Sequence, residues 1–131
     1  MSLNYDITTR NAKLDAIEAS IGASPVLKIR TGSKPANCAA VDVGSVLATI
    51  ALPADWMAAA SSGAKSKSTW DEVTASGSGT AGHFRIYDSL GDCRIQGSFG
   101  TSGTDMIASS ASFAIGQSFS VTSFTLRDNN A

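Results

Sequence analysis

Histidine is nearly missing from this sequence: His83 is the one imidazole in 131 residues. A metal cage built on histidines, or a relay of imidazoles, therefore cannot form within one subunit. Cysteine is almost as scarce. Cys38 and Cys93 are the only thiols, and with a single histidine they make no zinc site. Cytoplasmic synthesis favours both staying reduced and buried, with one disulfide between them as the alternative after exposure to air. Charge is thin as well. Charged residues are 16% of the chain, well under the usual quarter, and the formal net charge is -1. A phosphate backbone needs a basic stripe, which Lys28, Arg30 and Lys34 approach only from in or beside a predicted strand. No segment approaches the roughly 20 apolar residues of a membrane span. The opening Met-Ser-Leu-Asn-Tyr-Asp lacks the basic and apolar regions of a secretory signal. These absences predict no nucleic-acid partner, no membrane, no cofactor, and a protein made in a cytoplasm and kept there or released by lysis.

What is present suffices for one core. The apolar share is 43%, and 131 residues leave no room for a second independent domain. The expected plan is a single domain over 1–131. It divides into a possible N-terminal arm at 1–7, a helix at 8–22, a β-sandwich at 25–126 and a polar, fraying tail at 127–131. In the helix, Leu14, Ile17 and Ile21 fall at i, i+3 and i+7, with Ala12, Ala16 and Ala19 between them. Thr8 or Thr9 is placed to cap it, and Gly22 to end it in a left-handed conformation. Arg10, Lys13, Asp15 and Glu18 sit mostly off the apolar stripe, which makes the helix amphipathic and fit to cover a sheet.

After Pro25 the period shortens to that of strands. Residues 25–30 and 46–52 read as the first two, with Val46, Ala48, Ile50 and Leu52 on one face. Between them, Lys34 to Gly44 is an irregular loop with room for one helical turn over Ala36 to Ala40. Residues 61–66 are a turn, Ser68 to Thr74 a strand, and Ala75 to Gly79 a flexible Ser/Gly tip. Residues 83–88 and 93–99 give the clearest hairpin, in which Phe84 and Ile86 alternate with His83, Arg85 and Tyr87. A weak strand near Met106 to Ser109 and a long terminal strand from Gln117 to Leu126 complete the set. Short strands separated by Gly/Ser turns predict a mainly β fold, an antiparallel β-sandwich or jelly roll with the one helix packed outside.

No group of residues announces catalysis. His83 beside Arg85 and Asp88 is the nearest thing to an acid–base set, but alternation separates Asp88 from the other two, and surface or cross-strand polar roles are expected. Asp71, Glu72, Asp88 and Asp92 are the acidic near-neighbours outside the helix. Paired carboxylates cleave glycosides only at a defined separation, and Asp88 and Asp92 flank a turn, where Asp commonly bonds the backbone. The acidic spacing does not follow a calcium loop. The glycines at 77–79 and 100–103 lack the Lys-Ser/Thr of a phosphate loop. Trp56, Trp70 and Tyr87 would stack on a sugar if exposed together, but buried anchors are the expected role. Catalytic, cofactor-binding and metal residues are all predicted to be none.

Several stretches resemble a family of small virion proteins of tailed bacteriophages. They are residues 10–19 running into Ile21-Gly22, residues 27–32, Pro35-Ala-Asn-Cys38, residues 47–53 with Asp55-Trp-Met57, and residues 82–88. Ile95-Gln-Gly97 with Gly100-Thr101, and Ser123 to Leu126, complete them. Together they cover most of the chain in order and carry no catalytic motif. The resemblance implies a capsid cement or decoration protein on the head surface. Its expected partners are the major capsid protein and copies of itself, as a dimer or trimer. The alternative is a tail, neck or fibre component with a host-glycan-binding β-module. Weak charge and many small residues suit close multivalent packing. The segment before Thr8 and the loops 34–44 and 61–67 are the natural arms.

Overall fold

Alternation of apolar and polar residues dictates the centre of this molecule, and it is best seen where three long strands lie side by side. The computed structural model describes residues 3–129. In chain order it contains α1 (Ile7–Ile21), β1 (Val26–Thr31), β2 (Val46–Ala51), β3 (Ala64–Ser66), β4 (Val73–Thr74) and β5 (Gly79–Tyr87). β6 (Cys93–Gly100), β7 (Met106–Ala108), β8 (Ser112–Phe113), β9 (Ser118–Phe119) and β10 (Val121–Arg127) follow. The main sheet has the order β2-β1-β5-β6-β7-β10-β3, with β8 paired to β5, and β4 and β9 form a separate two-stranded sheet packed with it. The protein is thus mainly β with one N-terminal helix, and of the two expected forms it is the sandwich. It departs from the purely antiparallel pattern in one place: β6 and β7 run parallel, Phe99 opposite Met106.

Register assigns each face. Leu27 lies opposite Ile50 and Ile86, Ile29 opposite Ala48 and Phe84, and Ile86 opposite Ile95. Cross-strand partners share a face, so these residues form one apolar layer, completed by Leu47, Trp56, Met106, Phe113, Phe119 and Phe124. The ring of Phe84 meets that of Phe124 edge-on at 5.4 Å, and it lies over β6 because Gly97 is there. A Cβ at Gly97 would come within 2.9 Å of Phe84 Cε1.

The helix starts earlier than predicted. Asp6, not Thr8 or Thr9, is the N-cap, its carboxylate accepting from the Thr9 amide at 2.8 Å, a geometry a short carboxylate serves well. Gly22 ends the helix with φ +92° and ψ -173°, a positive-φ but extended conformation in place of the left-handed one. Leu14 and Ile21 are buried as expected, whereas Ala12, Ala16 and Ala19 face outward. The polar residues are not simply solvated. Lys65, 1% exposed, pairs with Asp15 at 2.7 Å and Glu18 at 2.9 Å and donates to the Ala58 carbonyl at 2.9 Å, which uses all three ammonium protons. Burial alone would lower the Lys65 pKa, but the bonds to Asp15 and Glu18 outweigh it and raise it.

Four other expectations shift. Residues 61–64 form a tight hairpin turn with positive φ at Ser62 and Gly63, as a type I′ turn requires, and β3 follows at once. The strand predicted over Ser68 to Thr74 shrinks to β4, because Trp70 leaves the ladder to bury its ring and bond the Trp56 carbonyl at 2.8 Å. The Ser76 and Gly77 amides bond the Leu47 carbonyl at 2.8 and 3.1 Å, so that loop is docked on β2 and is no free tip. The terminal strand splits, β9 pairing β4 and β10 pairing β7 and β3. At the tail, Arg127 ends β10 and Asp128 is buried, paired with Lys13 at 2.7 Å and bonded to Arg10 through its carbonyl. Tyr5, in the expected arm, lies against the Lys13 ammonium at 4.2 Å. The remainder of the arm and tail, residues 1–2 and 130–131, lies outside the described residues.

Candidate functional site

The other face of β1, β5 and β6 is polar, and it is covered. Lys28 lies opposite Arg85, Arg30 opposite His83, Arg85 opposite Gln96, His83 opposite Ser98 and Tyr87 opposite Cys93. Over this layer the segment 33–44 runs as a strap. In place of the helical turn anticipated at Ala36 to Ala40 it holds a single turn closed by Asn37, whose side chain and carbonyl both accept from the Ala40 amide.

Arg85 holds the strap down. It is 2% exposed, and its Nη2 donates to the carbonyls of Asn37 at 3.0 Å and Ala40 at 3.1 Å. Its Nη1 donates to Asp42 Oδ1 at 2.6 Å and its Nε to Gln96 Oε1 at 3.1 Å. Asp42 also accepts from Arg30 Nη2 at 3.1 Å and from the Tyr87 hydroxyl at 2.6 Å. Gln96 bonds the Pro35 carbonyl at 2.8 Å. The Tyr87 hydroxyl, working against burial and helped by the two guanidinium groups, holds the Asp42 pKa below the ordinary carboxylate value. Burial and Asp42 together raise that of Tyr87. Two buried cations meeting one carboxylate is a costly arrangement in water-poor surroundings, and it survives because nearly every donor has a partner.

The predicted residues now have places. His83 is fully buried, not on the surface: its Nδ1 donates to the Gly32 carbonyl at 2.8 Å, and its Nε2 has no partner among the described residues. Arg85 is likewise buried. His83 keeps the cross-strand place expected of it but not the surface one, and Arg85 is covered by the strap, whose carbonyls and Asp42 it bonds. Asp88 organises the β5–β6 turn, accepting from the Leu90 and Asp92 amides at 3.0 Å each and from Arg94 at 3.1 Å. Those turn amides, first that of Asp92, lower its pKa against the effect of burial. Asp71 and Glu72 are exposed in the approach to β4, and they do not converge with Asp88. Trp56, Trp70 and Tyr87 are all buried and present no common stacking surface. Of the near-basic patch, Arg30 is spent on Asp42 and Lys28 leans over the Tyr87 ring at 5.4 Å. Among the described residues no three His, Cys, Asp or Glu side chains gather as metal ligands, and no helix is long and apolar enough to cross a membrane.

Sequence reasoning passed over Asp42 and Gln96. Their signal is faint: the polar alternation Lys28/Arg30, His83/Arg85/Tyr87 and Gln96/Ser98 becomes one layer only when the three strands are known to be neighbours. Beyond the strap, its outer edge and the β5–β6 turn flank a shallow groove of about 360 Å³ over Val26, Lys28 and Tyr87. Val41 and Leu90, next in sequence to the groove residues Asp42 and Ser89, are 81% and 85% exposed, and Val43 is 40% exposed. A second cleft of about 550 Å³ opens where β7 is too short to fill the space between Ile95 of β6 and Leu126 of β10. No protein-family model matches the chain, and neither a curated protein nor a solved structure shows significant similarity to it.

Proposed function

We propose that this chain is a virion structural protein of a tailed phage, a capsid cement or decoration protein that binds the outer head surface and bridges major capsid proteins. The observation that carries this reading is the exposure of Val41, Val43 and Leu90, next in sequence to the groove residues Asp42, Ser89 and Gly91. Large apolar side chains this exposed are costly unless covered, and here they stand on a strap fixed by Arg85 and on a turn fixed by Asp88. A rigid surface loses little entropy on docking. Weak net charge places no strong repulsion between neighbouring copies, and modest contacts repeated over a shell add through multivalency. On this reading the protein is non-enzymatic, needs no cofactor, and acts through surfaces.

The test is occupancy. Quantitative mass spectrometry of purified particles is expected to find the protein in fixed proportion to the major capsid protein, and a trace amount would reject the head assignment in favour of tail or fibre. Val41→Asp and Leu90→Asp, at exposed positions, should change stability by no more than about 0.5 kcal/mol yet abolish binding to particles lacking the native protein. Full binding by both variants would remove this face from consideration.

A further inference from the structure

The strap carries one more chemical group to the polar layer. Cys38 occupies the corner of the Asn37–Ala40 turn, and that turn is pressed onto β5 by the Arg85 guanidinium through the Asn37 and Ala40 carbonyls. Cys93, the first residue of β6, lies opposite Tyr87 on the same layer, with its thiol 3.5 Å from the Ile95 carbonyl. Both thiols are free and half-buried, a side-chain hydrogen bond joins Cys93 to Cys38, and the Arg85 guanidinium that holds the strap also reaches the Cys38 carbonyl at 3.4 Å. Burial, then Cys38 itself, pushes the Cys93 thiol up to about 12. Cys93 is therefore a poor attacking group at neutral pH.

We propose that Cys38 and Cys93 are a thiol pair set to form an intramolecular disulfide by exchange with a low-molecular-weight disulfide, fastening the strap to β6. The Cys38 thiolate attacks one sulfur of the reagent and expels the other as a thiol, giving a mixed disulfide. Cys93 loses its proton to solvent and attacks the Cys38 sulfur, releasing the second half of the reagent. One external disulfide is reduced to two thiols, and two protein thiols become one disulfide. Burial keeps the Cys93 thiol protonated at neutral pH, so Cys93 resolves instead of initiating. The bond joins positions far apart in sequence and restricts the unfolded chain, so it stabilises the fold as well as the strap. None of this rests on the head-protein reading.

The experiment uses the full chain and oxidised glutathione at about pH 8, read by intact mass and thiol titration. The wild type is expected to lose two hydrogens, retain no glutathione, stay monomeric in mass and melt several degrees higher. Cys93→Ser should stop at the glutathione adduct on Cys38. Cys38→Ser should react several-fold more slowly than Cys93→Ser, because burial, the largest cause of the raised Cys93 thiol, remains when Cys38 is removed. A stable glutathione adduct on the wild type, a disulfide-linked dimer, two thiols left free under excess reagent, or equal rates in the two single variants would each overturn the proposal.

Discussion

The central strand β5 buries both of its faces between His83 and Tyr87, yet by opposite means. On one face Leu27, Ile29, Phe84 and Ile86 are 0 to 1% exposed and belong to the apolar core. On the other, His83, Arg85 and Tyr87 are 0 to 7% exposed beneath a strap of irregular backbone. The apolar face is held by removal of surface from water and tolerates many partners of suitable size. The polar face is held by a definite set of donors and acceptors, and it fails if one is taken away. That difference explains why the strap has a fixed path: its carbonyls, which no sheet satisfies, are met by Arg85 and Gln96.

The comparison breaks most severely on the apolar side. Phe84→Ala leaves a cavity against Phe124 and should cost about 3–5 kcal/mol, and Ile86→Ala about 2–5 kcal/mol, measured by urea denaturation. Native stability in both would show that this layer is not the core. On the polar side, Asp42→Asn leaves Arg30 and Arg85 without their counter-charge. Asp42 itself is partly exposed, so the cost is expected to be about 2–4 kcal/mol, accompanied by faster hydrogen exchange at 33–44 but not in β2. Exchange rising evenly through the sheet would mean that the strap and the core are one cooperative unit.

Acid separates the faces without mutation. The Asp42 pKa is lowered on folding, so its contribution is complete above the unfolded value of about 3.9 and is lost as pH falls through the lower folded value. The urea midpoint should drop there, and the drop should be smaller in Asp42→Asn. An unchanged acid limb in that variant would assign the loss to the other lowered carboxylates, Asp6, Asp15 and Asp88. The smallest effect is alkaline. Cys93 is raised in the folded state, so the unfolded chain releases its proton first and stability declines from about pH 8.5 upward. Cys93→Ser should flatten part of that slope, and an identical slope would place it on Tyr87 and Lys65, both raised in the folded state.

Much of the fold was legible because it is local. Leu14, Ile17 and Ile21 mark one helix face, and the β5–β6 hairpin follows from alternation with a Gly-containing turn between. The strand at Ser68 to Thr74 was misread because Trp70 alternates correctly in sequence but is withdrawn by its bond to Trp56, a contact fourteen residues away. The residues proposed to dock were not legible as a set, since Val41 and Leu90 are distant in sequence and each alone is an ordinary surface residue. For the same reason the phage resemblance offered a role without naming the surface that would perform it.

By itself the sequence determined the class of the molecule: one small core, a capped helix, strands of two-residue period, and no set of residues suited to a metal or an imidazole relay. Those properties depend on composition and on neighbours within a few positions, where backbone geometry leaves little choice. Only the tertiary structure decided that part of the second face of the sheet is interior, because burial of Arg85 depends on where the 33–44 strap lies. The strap's path is fixed by hydrogen bonds spanning some forty residues of chain, and no local period records them.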